Sequence, residues 1–438
     1  MRRISKYLAR IRTFRFEALD WEEFGVCSSL SMLDPAGWLF PNLQELYIDF
    51  GETAISKPYY FAPLLTPSLR SITICSPSTS HYNEEAACAI LDRLISRNAK
   101  ISDITYKGCT SSQIIKRTMG FSRLCSIVIG YCPTREKGAC NIHIASFLTR
   151  NLTNLDIDVN HFPDNILQEA GKKFERLVSL TSLKLRGELD TIHKCIRDLN
   201  PIASISSFGL CRHTSSSFSE ERIPALIPSL TVIFPNLHSL HFENIGSNIS
   251  MVTFDDLMSF RERPIRALDL INCLKSTELT NDIGEILRVW PTLQHLWFEG
   301  DDLSAEYLLP LVSCSAPSLQ DLTLPLRFPD VWNESIPNKV VCPLQYLTIP
   351  PSWERFPKVF QYARMLLELF PMLKTISERT GCNGRFATVG IDIHDLSIND
   401  ANSVNDRINQ ARSLSNAPIR SMRRECDGNR VAQALGLI

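Results

Sequence analysis

Apolar residues recur along this chain in one short pattern, apolar-x-x-apolar-x-apolar, often with Pro just before it. It appears as RIRTFRF (10–16), PNLQELYI (41–48), PSLRSITI (67–74), AKISDITY (99–106), SRLCSIVI (122–129), RNLTNLDI (150–157) and VSLTSLKL (178–185). It continues as ASISSFGL (203–210), PNLHSLHF (235–242), RPIRALDL (263–270), PTLQHLWF (291–298), PSLQDLTL (317–324), CPLQYLTI (342–349) and PMLKTIS (371–377). The first apolar position of these fourteen copies runs from Ile11 to Leu373 in steps of 23 to 32 residues.

The spacing has a direct reading. The second and third apolar positions lie two apart, so they share one face of a short strand. The first enters the same core from the preceding turn. On a helix the first and third positions, five residues apart, would be rotated by about 140° from one another. The recurring Pro also fits a strand entry better than a helix interior. Between the copies, NEEAACAILDRLISRN (83–98), NILQEAGKKFERL (165–177), LDTIHKCIRDL (189–199), NDIGEILRVW (281–290) and KVFQYARMLLELF (358–370) place apolar residues at three- and four-residue steps, predicting helices. Each copy therefore reads strand, loop, helix, and the step is that of leucine-rich repeats.

The predicted fold is an α/β leucine-rich-repeat solenoid, a horseshoe of about fourteen repeats. Its parallel strands lie on the concave face and its helices outside, over residues 1–397 with terminal caps. An eight-stranded α/β barrel alternates in the same way, but fourteen strands are too many for it. Such repeats often carry Asn or Cys eight residues after the first apolar position. Here Cys109, Cys132, Asn160 and Cys273 stand there. Their side chains are expected to hydrogen-bond backbone turning away from the strand.

Near the C-terminus FATVGIDIH (386–394) reads as a last strand over the final coil, and SERTGCNGR (377–385) as a turn before it. Residues 398–438 are polar and Arg-containing, a tail with too little apolar surface for a core, hence expected to be mobile.

Strand alternation also selects the side chains that point away from the core, at the third, fifth and seventh positions of each copy. The ninth to twelfth copies bring Ser239, His241, Glu243, Ala267, Asp269 and Ile271 onto one face, followed by His295, Trp297, Glu299, Asp321, Thr323 and Pro325. Of these, His241, Glu243, Asp269, His295, Trp297, Glu299 and Asp321 form a candidate partner-binding patch, with Trp297 as anchor and the acids as rim. A metal or small ligand held by His241, Asp269 and His295 is the alternative use of the same groove, because adjacent strands lie about 5 Å apart. In the sixth and seventh copies, Asp156 is expected to pair with Lys184, and Asp158 with Arg186.

Charge and motifs narrow the function. With 46 Lys and Arg against 47 Asp and Glu, the balance does not favour nucleic acid. No 18-residue apolar run suggests a membrane span, and MRRISKYLARIRTF lacks the apolar core of a signal peptide. Fourteen Cys without a CxxC pair predict reduced thiols in cytoplasm or nucleus. No phosphate loop, GxGxxG, HExxH, GxSxG or kinase set is written in the chain, so neither enzyme activity nor a cofactor is predicted.

Units such as FPNLQELYI, APSLQDLTLPL and WPTLQHLWFEG resemble the divergent leucine-rich repeats of fungal F-box proteins, and YLARIRTFRF (7–16) is similar to the Arg-rich segment that often precedes them. The resemblance covers roughly residues 1–380. It implies a substrate receptor of a cullin-type ubiquitin ligase, joined through an F-box to a Skp adaptor. An F-box takes about forty helical residues with a Leu-Pro start, and this chain begins its first repeat by Ile11. The Skp and cullin partners are therefore expected only if an F-box lies upstream. A free-standing leucine-rich-repeat scaffold is the other expectation.

Overall fold

The computed structural model describes residues 7–17, 40–50, 61–76, 81–108, 111–130, 152–160, 178–197, 199–213, 226–245, 252–274, 279–300, 302–329, 332, 341–349, 363–382 and 385–392. Every one of the fourteen sequence copies carries a strand. In the N-terminal unit these are β1 Thr13–Glu17, β2 Glu45–Asp49, β3 Ser71–Ser76, β4 Asp103–Gly108, β5 Ser126–Ile129, β6 Asn154–Asp158, β7 Ser182–Gly187 and β8 Ser207–His213. Each pairs in parallel with the next in chain order.

The C-terminal unit continues with β9 Ser239–Ile245, β10 Ala267–Ile271, β11 His295–Glu299, β12 Leu303–Ser304, β13 Asp321–Thr323, β14 Leu326–Arg327, β15 Tyr346–Ile349, β16 Thr375–Cys382 and β17 Arg385–Asp392. Six of these, β9, β10, β11, β13, β15 and β16, run parallel in that order. Leu303 and Leu326 join the short strands β12 and β14 in a separate parallel pair. Parallel neighbours in strict sequence order, joined by helices, make the fold an α/β leucine-rich-repeat solenoid. Among the described strands β1 pairs only with β2, so the sheet does not close as a barrel.

The described helices are α1 His81–Ser96, α2 Ser112–Thr118, α3 Leu189–Ile196, α4 Leu226–Ile233, α5 Phe254–Met258, α6 Leu279–Val289, α7 Ala305–Ser315 and α8 Ala363–Leu369. Periodicity located α1, α3, α6 and α8. It did not reveal α2 and α5, which are short and held by side-chain caps from Ser111 and Thr253. Nor did it reveal α4 and α7, which contain Pro228 and Pro310. The helix expected over 165–177 lies outside the described residues, as does the tail at 398–438.

The register explains the pattern. Leu46, Ile72, Ile104, Ile127, Leu155, Leu183 and Phe208 are successive partners across β2 to β8. In the second unit Leu240, Leu268, Leu296, Leu322, Leu347 and Ile376 do the same. All are buried. Every coil thus lays its second apolar side chain on that of the coil before, giving one continuous core per unit.

The Pro that precedes so many copies has a turn to make. Leu43, Leu69, Leu293, Leu319 and Leu373 each donate a backbone N–H to the residue three earlier. Pro41, Pro67, Pro291, Pro317 and Pro371 then occupy the second turn position, where a fixed φ suits a β-turn. After the turn, one carbonyl in most of the described coils accepts two N–H groups from the next. Arg70 takes those of Ser102 and Asp103, and Gln294 those of Gln320 and Asp321.

At the C-terminus, β17 covers β16 in antiparallel fashion, from Thr375 opposite Asp392 to Cys382 opposite Arg385. The predicted last strand is present. The stretch 377–385, expected as a turn, is mostly strand: β16 extends through Cys382 because the returning chain supplies it with backbone partners. Among the described residues, no helix is long and apolar enough to cross a membrane.

Candidate functional site

All seven patch residues fall on the sheet of the C-terminal unit, where alternation put them. On β9 and β11 their burial alternates: Leu240, Phe242, Leu296 and Phe298 are inside, while His241, Glu243, Trp297 and Glu299 are half-buried on the other face.

Four strands then contribute to one lateral chain of ionisable groups. His241 Nε2 lies 3.2 Å from Glu243 Oε2, and its Nδ1 lies 2.9 Å from Asp269 Oδ2. The second oxygen of Asp269 is 3.0 Å from His295 Nε2, and His295 Nδ1 is 3.1 Å from Asp321 Oδ2. The order Glu243, His241, Asp269, His295, Asp321 crosses β9, β10, β11 and β13. Asp269 and His241 are register partners. His295 faces Ala267 in register, and Ala267 is too short to meet it. The imidazole therefore reaches diagonally to Asp269.

Protonation follows from this geometry. An ionised carboxylate only accepts hydrogen bonds. Two carboxylates set against the two nitrogens of one imidazole favour a proton on each, and at His295 this makes the charges of Asp269, His295 and Asp321 alternate along the ladder. Burial alone would lower His295, but the carboxylates of Asp269 and Asp321 outweigh it and push it up to about 9. Burial would raise Asp269, yet bonds and charge from His241 and His295 hold it down at about 2.

The same geometry separates the two uses expected of the groove. His241, Asp269 and His295 are brought together, but as a line of ion pairs and not around a common point. A metal needs the lone pair of a neutral imidazole, whereas the carboxylates of Asp269 and Asp321 favour the protonated form of His295. Among the described residues no group of three or more His, Cys, Asp and Glu side chains is arranged to hold a metal ion. Trp297, two residues from Glu299 on the same face, donates its indole N–H to Glu299 Oε1 at 2.9 Å.

The N-terminal unit differs in one expected pairing. Arg186 bypasses its register partner Asp158 and grips Asp156 with two 2.6 Å bonds, Nε to Oδ1 and Nη2 to Oδ2. The bidentate fork selects that diagonal. Asp158 instead accepts the backbone N–H of Asn160 at 3.0 Å. The Lys184 stem lies over Gly209, which has no side chain to exclude it.

Asn160, singled out by repeat position, accepts the N–H of Glu188 in the next coil at 2.6 Å. That is the backbone role expected of it. Cys273 is a fully buried thiol, and Cys109 and Cys132 lie outside the described residues.

One cluster went unread in the sequence. Arg15 sits 4.3 Å from the ring centre of Tyr47, and the Lys107 ammonium 5.9 Å from it. Cys75 Sγ lies 3.1 Å from Tyr47 Oη. The available signal was positional: Arg15 and Tyr47 are fifth residues of their copies and Lys107 a seventh, so all share a face.

No protein-family description matches the chain, and no curated protein matches it. Among solved structures it is similar to a chain from the Toll–Spatzle complex of Drosophila. The identity is 10%, the match covers 85% of this chain and 62% of that one, and the TM-score is 0.22.

Proposed function

We propose that this chain is a non-enzymatic, protein-binding leucine-rich-repeat solenoid that holds its partner on the concave face of the C-terminal unit. The observation that carries the reading is the braced ladder from Glu243 to Asp321 beside Trp297. Five ionisable side chains on four strands are fixed in place before any partner arrives, which lowers the ordering cost of binding. Trp297 supplies the large amphipathic contact on which interface energy concentrates.

Within that reading, the role is substrate recognition of the F-box kind. The support is the likeness of the repeat units FPNLQELYI, APSLQDLTLPL and WPTLQHLWFEG to that family. Affinity purification of the full chain tests both levels. Recovery of Skp adaptor and cullin subunits supports the ubiquitin-ligase role. Recovery of other proteins, lost in Trp297→Ala, supports a free-standing scaffold. If Trp297→Ala keeps every partner, this face is not the binding surface.

A further inference from the structure

We infer that the Asp269–His295–Asp321 bridge is a one-proton latch on the sheet face of the C-terminal unit: when His295 loses a proton, the contact between β11 and β13 opens on the Asp321 side, while the Asp269 side stays closed. Its use in controlling a partner rests on the reading of that face as the binding surface.

Three adjacent strands build the latch. His295 Nε2 lies 3.0 Å from Asp269 Oδ1, and Nδ1 lies 3.1 Å from Asp321 Oδ2. Among the described residues, the other titratable groups around the bridge are His241 and Glu243 on β9, behind Asp269, Glu299 on β11 itself, and Tyr346 on β15, opposite Asp321. The carboxylates of Asp269 and Asp321 outweigh the burial of His295 and raise it to about 9. An imidazolium donates from both nitrogens, whereas a neutral imidazole donates from one and presents a lone pair at the other. A lone pair set against a carboxylate oxygen is repelled, so one of the two contacts has to open.

Burial decides which. The Asp269 side chain is 22% exposed and that of Asp321 40%. Asp269 Oδ1 is enclosed and makes no well-aligned hydrogen bond, so among the described residues the His295 proton beside it balances its charge. Removing that proton strands a buried anionic oxygen, while removing the proton on the other side leaves a carboxylate that water can solvate. The remaining proton therefore stays on Nε2. Asp269 is also held from behind, where its Oδ2 meets His241 Nδ1 at 2.9 Å, and Asp321 is the group that turns to solvent. The three side chains pass from one net negative charge to two. The change occurs two residues from Trp297, on the same face.

The test is nuclear magnetic resonance of the full chain, labelled at the histidine ring nitrogens and titrated from pH 6 to pH 10.5. His295 should titrate near pH 9 and then keep its single proton on Nε2. In Asp321→Asn the proton should stay on Nε2. In Asp269→Asn it should move to Nδ1, toward the carboxylate that remains. Both variants should titrate below the original chain. Circular dichroism confirms their folding. A His295 that titrates at its ordinary value, a neutral form protonated on Nδ1 in the original chain, or an unchanged tautomer in Asp269→Asn overturns the inference.

Partners captured on the full chain test the consequence separately. Those lost in Trp297→Ala should be retained about threefold less at pH 10 than at pH 7 by the original chain, because the brace is gone. Asp321→Asn, with no second carboxylate to release, should retain them equally at both. The same pH dependence in the two chains overturns control of binding by the latch and leaves the face as a binding surface. If Trp297→Ala keeps every partner, the binding reading falls, and the tautomers still decide whether the latch exists.

Discussion

The two units use the same repeat to build sheet faces that balance charge differently. In the N-terminal unit permanent cations are in place: Arg186 forks onto Asp156, and Arg15 and Lys107 lie over the Tyr47 ring. In the C-terminal unit the described partners of the ladder's acids are imidazoles, His241 and His295. A guanidinium stays charged across the whole working pH range, whereas an imidazolium lasts only while its carboxylates hold its proton. The contrast shows that one backbone register can carry either a permanent or a titratable brace, because the outward positions are decoupled from the core beneath them.

The strongest way to test that decoupling is to cut the core. Leu296→Ala, beneath the ladder, should destabilise the chain by about 2–5 kcal/mol, since Leu296 is fully buried between Leu268 and Leu322. A shift in urea midpoint measures it. A neutral result would mean that the strand faces are assigned backwards.

A smaller loss is expected from the permanent brace. Asp156→Ala leaves Arg186, only 20% exposed at its side chain, without its fork partner. The cost should be about 2–3 kcal/mol and nearly the same at pH 6 and pH 10, because the stranded guanidinium keeps its charge.

The titratable brace should behave otherwise. His295 is raised from 6.5 to about 9, so its contribution is full below pH 6.5 and is lost as pH rises through 9. Asp269 is lowered from 3.8 to about 2, so its contribution is present above pH 3.8 and is lost as pH falls through 2. Partial exposure screens both. Relative to His295→Gln, the original chain should be more stable by about 1 kcal/mol at pH 6, and the difference should vanish by pH 10. Urea titrations at the two pH values decide it, and an advantage that persists at pH 10 would remove the distinction between the two faces.

The smallest effect on folding is expected at Trp297. Trp297→Ala should change stability by no more than about 1 kcal/mol, because the ring projects from the face opposite the core. Paired with Leu296→Ala in the same urea assay, it separates a binding position from a packing position one residue away.

Much of this was legible before any coordinates. The position of Leu296 in PTLQHLWF, the burial of its equivalents and the shared face of His241, Asp269 and His295 all follow from a period of two on a strand. The repeat spacing placed fourteen strands, and each is present. Four of the helices left a weaker trace. Ser111 and Thr253 cap segments too short for periodicity, and Pro228 and Pro310 argue locally against helices that packing imposes.

Sequence alone determined which side chains share a face, because strand alternation is a property of the backbone and needs no neighbour. It could not determine which of those side chains touch. That choice depends on side-chain reach between adjacent coils. Arg186 is long enough to take Asp156 diagonally, and Ala267 is short enough to let His295 lean toward Asp269. The same reach placed Arg15 and Lys107 on Tyr47 from strands on either side. Tertiary structure also set the titration of His295, because only the fold brings the carboxylates of Asp269 and Asp321 against its two nitrogens and so raises its pKa.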